Sequence, residues 1–141
     1  GCYVRGGYAS DICRTGFVGT PPEEVQKAYR VLMEAHRATE AVARPGVRVS
    51  VLDKTVNDYL RKSGYPTTPY SLGHGVGLAV HELPHVGPNA SGILANGMIF
   101  TIEPGIYISG WGGVRIEDVV ILEDSGARTL SRARKQERMG G

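Results

Sequence analysis

Two glutamates pose the chemical question in this sequence: Glu103 in Phe100-Thr101-Ile102-Glu103-Pro104-Gly105-Ile106-Tyr107, and Glu117 in Val114-Arg115-Ile116-Glu117-Asp118. Both lie in runs of Ile, Val, Phe and Tyr that favour β-strands, and the link Ser109-Gly110-Trp111-Gly112 has the glycine chemistry of a reversing turn. A turn centred near Gly110 sets residues whose numbers sum to about 220 opposite one another across an antiparallel pair, so Glu103 faces Glu117. Like charges in direct opposition destabilise a sheet, and a carboxylate in so apolar a run is partly buried, where an unpaired charge is costly. A cation belongs between them, and a metal ion is the economical candidate.

The histidines suggest a competing chemistry. His81-Glu82-Leu83-Pro84-His85 matches the HExxH pattern of zinc proteases letter for letter, but that mechanism needs both histidines on one face of a continuous helix. Pro84 removes a backbone donor inside the motif, and Gly73, Gly75, Gly77, Gly87 and Pro88 surround it with helix breakers. A straight strand through Pro84 is also disfavoured. Upstream, Gly73-His74-Gly75-Val76-Gly77 leaves little bulk around His74, which suits backbone passing close to a ligand or metal. The stretch lacks the spacing of a dinucleotide fingerprint and the Gly-Lys-Ser/Thr of a phosphate loop.

These segments need a scaffold. Residues 1–19 are glycine-rich with strand-like fragments at Tyr3-Val4, Tyr8 and Ile12, and the residues alone read Asp11 as a turn or cap aspartate. Thr20-Pro21-Pro22-Glu23-Glu24 predicts a helix start, with Thr20 as N-cap and acids in the first turn. Val25, Ala28, Tyr29, Leu32, His36, Thr39 and Ala43 then mark one face of a long amphipathic helix that stops at Arg44-Pro45-Gly46. His36 on that face reads as a packed core histidine. A second helix is predicted from Ser50, as N-cap, to Gly64, as C′ residue, burying Leu52, Val56, Tyr59 and Leu60. After Glu123, residues 124–127 form a turn and residues 128–130 a last short strand. Residues 131–138 are predicted to be a solvated, frayed, charged tail.

With 141 residues the chain has the size of one domain. The 16 Lys and Arg against 14 Asp and Glu give a net charge of only +2, which excludes nucleic acid as the expected partner. No apolar run reaches the roughly 20 residues needed to cross a bilayer. Cys2 and Cys13 lack the spacing of a zinc knuckle or redox pair, which points to a cytoplasmic chain with reduced thiols.

Four segments in order, Ser10-Asp11-Ile12-Cys13-Arg14-Thr15, then Gly73-His74-Gly75-Val76-Gly77 with His81-Glu82, then the segments holding Glu103 and Glu117, resemble the signatures of the pita-bread metallopeptidases. That family includes methionine aminopeptidases, Xaa-Pro aminopeptidases and Xaa-Pro dipeptidases (prolidases). The short separation of Glu103 and Glu117 resembles the proline-specific branch more, although Tyr70 stands where that branch often has a histidine. The resemblance implies an α+β pita-bread fold with an antiparallel sheet covered by two helices. Residues 1–19 would be the tail of its first half, residues 20–130 the second half and residues 131–141 a charged tail. It also implies that Asp11 and Glu117 bridge two divalent metals, with His74 and Glu103 completing one shell and a further aspartate expected just upstream of Gly1. His81 would bond the substrate, Arg115 would steady the acidic cluster, and Glu103 would shuttle a proton. Such a ligand set favours Mn²⁺ over Co²⁺, Fe²⁺ or Zn²⁺. The implied substrate is a peptide with proline in second position, and the implied assembly is a homo-oligomer or association with a missing N-terminal segment. A non-catalytic peptide- or protein-binding module, and a glycine-rich domain with merely solvated acids, are the alternatives.

Overall fold

The computed structural model describes residues 1–135. The first part runs β1 (Cys2–Tyr3), β2 (Ala9–Ser10), β3 (Cys13–Arg14), α1 (Glu23–Val42) and α2 (Val49–Lys62). The second adds β4 (Gly73–Gly75), β5 (Glu82–Val86), β6 (Ile99–Ile102), β7 (Gly105–Ile108), β8 (Gly112–Glu123) and β9 (Gly126–Thr129).

Twelve-residue β8 organises the sheet because it is paired along both edges. On one edge it takes β7 (Gly105↔Arg115) and then β6 (Ile102↔Asp118), in the register expected from a turn near Gly110. On the other edge it takes β3 (Cys13↔Glu117) and β9 (Val120↔Thr129). The path β3-β8-β6-β4-β5, with β7 and β9 flanking β8, makes a seven-stranded sheet among the described residues. β1 and β2 form a separate hairpin. Along this edge of β8 the ladder breaks between β6 and β7, at Glu103-Pro104, where proline has no N–H to donate. Glu103 N–H turns aside to the Leu72 carbonyl at 2.8 Å.

Both helices pack on one side of this sheet. α1 buries Ala28, Tyr29, Leu32, Ala35, His36 and Thr39 and packs on β6, β7, β8 and β9, and α2 buries Leu52, Val56 and Leu60 and packs on α1 and β5. Their apolar residues share one core with Phe100, Ile102, Ile116 and Val120. α1 starts after Pro22, not at Thr20, and Pro22 caps it without a side-chain hydrogen bond. Thr20 and Pro21 each precede a proline, which drives both out of helical backbone. α2 begins at Val49 with Arg48 as its N-cap, two residues ahead of the expected Ser50 cap. Its C-terminus follows the sequence: Gly64, at φ +82°, lets Tyr65 N–H reach the Leu60 carbonyl at 2.9 Å. His36 is a core residue, as expected, with 1% exposure. Burial, and next the Lys135 charge, push its pKa down to about 4, so the ring is neutral.

Three expectations change. Strand β5 does pass through Pro84, because the β4–β5 register slips between His74↔His85 and Gly75↔Glu82. The slip places the prolyl nitrogen at a bulge, where no ladder donor is needed. The glycines around His74 make room for protein rather than for a ligand. A Cβ on Gly73 would overlap the Thr101 carbonyl, one on Gly75 the Leu83 carbonyl, and one on Gly77 the Glu82 carboxylate. The predicted frayed tail also gives way for residues 131–135, which bond to β8 and Arg14. The rest of that tail lies outside the described residues. No helix among the described residues is long and apolar enough to cross a membrane. Cys2 and Cys13 are unpaired.

Candidate metal centre

Three polar side chains reach one point from distant parts of the chain. Asp11 follows β2, His74 is the middle residue of β4, and Glu117 lies on β8 opposite Cys13. One ligand atom from each lies within 4.8 Å of the other two. Glu103 joins them from the β6–β7 break: its Oε1 is 3.2 Å from His74 Nε2, which is itself 3.8 Å from Asp11 Oδ2. Every candidate ligand expected from the sequence is therefore in one cluster, and Asp11 sits in it rather than serving as a remote turn residue.

Local bonds fix the donors. His74 Nδ1 is 3.1 Å from its neighbour's carbonyl at Gly75, and a carbonyl only accepts, so Nδ1 carries the proton. Nε2 is the ring nitrogen left facing the carboxylates. Thr101 Oγ1 bonds Glu103 Oε1 at 3.2 Å and accepts His74 N–H at 3.0 Å, tying β4 and the β6 end together. Thr101 was not among the candidates from sequence; the signal is its position two residues before Glu103, on the same strand face, as a lone hydroxyl in an apolar run. Arg115 spans both glutamates, with Nη1 3.4 Å from Glu103 Oε2 and Nη2 3.6 Å from Glu117 Oε2. Cys13 beside the guanidinium, together with Glu117, pushes the Arg115 pKa further up. Tyr70 and Tyr107 share a 3.0 Å hydroxyl contact near the same group.

The histidines of the HExxH look-alike separate. His81 lays its ring over His74, with centroids 3.9 Å apart, whereas His85 Nε2 meets Ser71 Oγ at 3.1 Å. Neither lies on a helix.

The electrostatics are those of a site short of positive charge. Glu117 is 2% exposed, and burial first, then the charges of Glu103 and Asp11, raise its pKa to about 7 against Arg115 and His74. Burial likewise raises Glu103. Acids this buried are not the solvated carboxylates of a neutral domain surface. The folded chain holds the Glu117 proton up to about pH 7, while the unfolded chain releases it near 4.5. Between those values the folded state binds more protons, so this group's contribution to metal-free stability falls as pH rises and levels off above 7. His36, with its lowered pKa, contributes the opposite slope below its ordinary value of 6.5. The Glu117 effect is therefore isolated by comparing Glu117→Gln with the parent in urea. The difference should move in favour of glutamine from about pH 4.5 to 7 and then hold, whereas a difference independent of pH would contradict the assignment.

Beside the cluster, Val4, Tyr8, Asp11, Ile12 and Val76 line a cavity of about 380 Å³. It shares Tyr8, Val76, Gly77 and Ile99 with an apolar groove of about 730 Å³ that continues past Leu83 and Met98.

A family model described as metallopeptidase family M24 matches residues 1–124. An Xaa-Pro dipeptidase of Pyrococcus furiosus is 41% identical over 130 residues, covering 92% of this chain and 37% of that protein. The structure of a prolidase from Pyrococcus furiosus superposes with a TM-score of 0.89 at 40% identity, over 92% of this chain and 39% of that one. An X-Pro aminopeptidase from Thermotoga maritima gives a TM-score of 0.89 at 35% identity, over 92% of this chain and 37% of that one. The chain thus spans somewhat more than a third of the length of these relatives. Their likeness gives the fold as the α+β pita-bread architecture expected from the sequence, with an antiparallel sheet and two helices.

Proposed function

The chain belongs to metallopeptidase family M24, and from that premise we propose that its protein is a metal-dependent exopeptidase that removes the N-terminal residue from peptides, preferentially at Xaa-Pro bonds. The observation that carries this reading is the convergence of Asp11, His74 and Glu117 within 4.8 Å, with Glu103 3.2 Å from His74. The donor set fits a divalent cation: mostly carboxylate oxygen, one imidazole whose Nε2 faces the carboxylates, and a buried glutamate whose pKa is raised by burial and by its acidic neighbours. The proline-specific preference rests on the Xaa-Pro dipeptidases and the X-Pro aminopeptidase among the relatives.

Asp11, His74, Glu103 and Glu117 are the residues that would hold metal, with Asp11 and Glu117 as the bridging carboxylates if two ions bind. Mn²⁺ suits this oxygen-rich set, ahead of Co²⁺, Fe²⁺ or Zn²⁺. When bound, such ions supply Lewis acidity and lower the pKa of water at the site. Glu103 takes the proton from the attacking water and returns it to the leaving amine, a role suited to a carboxyl whose pKa burial has raised. His81, exposed and stacked on His74, donates a hydrogen bond to the substrate carbonyl as charge develops there. Arg115 keeps the two glutamates apart and oriented through its contacts to both.

The unpaired thiols fit a cytoplasmic setting. Val4, Tyr8, Leu83 and Leu130 are exposed apolar side chains lining the cavities. They would be covered by preceding polypeptide, consistent with residues 1–19 as the tail of a first half, or by a second copy. The direct test is release of proline from Xaa-Pro dipeptides by the purified protein with Mn²⁺. Turnover lost with chelator and restored by Mn²⁺ is expected. Metal bound without turnover on any peptide would replace the enzyme with a peptide-binding module.

A further inference from the structure

Behind Glu117, on the opposite face of β8, lies a second buried charge cluster. Asp118 is fully buried at 0% exposure, and its carboxylate takes Arg14 Nη2 at 2.6 Å on Oδ1. Lys135 Nζ pairs with Oδ2, and His36 Nε2 lies 3.3 Å from the same oxygen. The His36 ring is neutral, so the cations that neutralise Asp118 are Arg14 and Lys135.

Arg14 does more than neutralise. Its Nη1 donates to the carbonyls of Cys13 at 2.8 Å and Glu117 at 2.6 Å, and its Nε and Nη2 donate to Ala133 O at 3.1 and 2.9 Å. One planar guanidinium therefore binds the peptide of Glu117, the strand that follows Asp11, and the segment after β9. That segment also closes a gap in the ladder. β8 changes partner from β3, at Glu117, to β9, at Val120. Between them Val119 N–H donates to Ser131 Oγ at 2.9 Å, and Val119 O accepts Leu130 N–H at 2.8 Å.

We propose that residues 131–135 form a strap that positions the metal ligands, with Lys135 and Ser131 acting through Asp118, Arg14 and Val119 to hold Glu117 and β3 in register. The proposal rests on Asp11 and Glu117 being metal ligands. Release of the strap frees the β8 edge next to Glu117 and loosens the strand that sets Asp11, without touching a ligand. Direct hydrogen-bond partners of metal ligands are worth about 10- to 100-fold in metal affinity, and the strap, one step further out, belongs at or below the lower end of that range.

The test is Mn²⁺ affinity by electron paramagnetic resonance titration of the full chain, read beside its metal-free melting temperature. Lys135→Met should raise the dissociation constant about tenfold, and Lys135→Arg should stay within about twofold of the parent. Ser131→Ala, which keeps the buried charges, should raise it about threefold and serves if the methionine variant does not fold. Affinity within twofold of the parent in both Lys135→Met and Ser131→Ala, with only a lowered melting temperature, would reduce the strap to packing and overturn the proposal while leaving the metal site intact. Absence of Mn²⁺ binding by the parent would overturn both.

Discussion

Glu117→Gln is expected to lower Mn²⁺ affinity at least 100-fold while making the metal-free chain more stable above pH 7, by an amount on the order of 2 kcal/mol. The two effects have opposite signs for one reason. Glu117 is nearly inaccessible and surrounded by Glu103 and Asp11, and Arg115 and His74 do not compensate for burial, which is why its pKa rises to about 7. Above that pH the metal-free fold carries an ionised carboxylate where a neutral amide of the same shape is better tolerated. A divalent ion reverses the preference, because the ionised carboxylate is then the ligand and the amide is a poor one. Calorimetric titration with Mn²⁺, paired with urea denaturation at pH 8, measures both. A structural acid would behave differently: its replacement would cost stability and leave Mn²⁺ binding within twofold.

The second large effect concerns turnover. Glu103→Gln should reduce the rate of Xaa-Pro hydrolysis about 1,000-fold, the middle of the range for loss of a positioned general base. Metal affinity should fall much less, because Asp11, His74 and Glu117 make a mutually close set without Glu103. Thr101 Oγ1 and Arg115 Nη1, at 3.2 and 3.4 Å from the Glu103 oxygens, hold that carboxyl beside His74. The glutamine amide can sit in the same place without accepting a proton. Stopped assays of proline release at saturating Mn²⁺ check this. A loss in metal affinity as large as the loss in rate would make Glu103 a ligand only.

What could be read in the sequence follows the range of the interactions involved. The facing of Glu103 and Glu117 was legible because one turn fixes the register, and the observed pairs Ile99↔Ile121 and Gly105↔Arg115 keep that sum on both sides of the proline break. Helix faces were legible from periodicity, and the stop at Gly64 from its chemistry. The start of α1 was misplaced because two consecutive prolines shift it past a good capping residue. The pairing of Cys13 with Glu117 joins residues a hundred positions apart and has no local signal, so Asp11 entered the site only through family resemblance. The glycines flanking His74 were legible as close approach, but what approaches is the backbone of β6 and the residues of β5, which only the assembled sheet defines. Arg14, Asp118 and Lys135 were likewise invisible, since nothing in a basic tail indicates that its first residues dock on a buried aspartate.

The central claim is that Asp11, His74 and Glu117 hold a metal. Crystals grown with Mn²⁺ and recorded at its absorption edge test it without reference to activity. An anomalous peak about 2.0 to 2.3 Å from His74 Nε2 and from carboxylate oxygens of Asp11 and Glu117 is the expected result. Saturating Mn²⁺ with no peak within about 4 Å of His74 Nε2, well beyond any coordination distance, would contradict it.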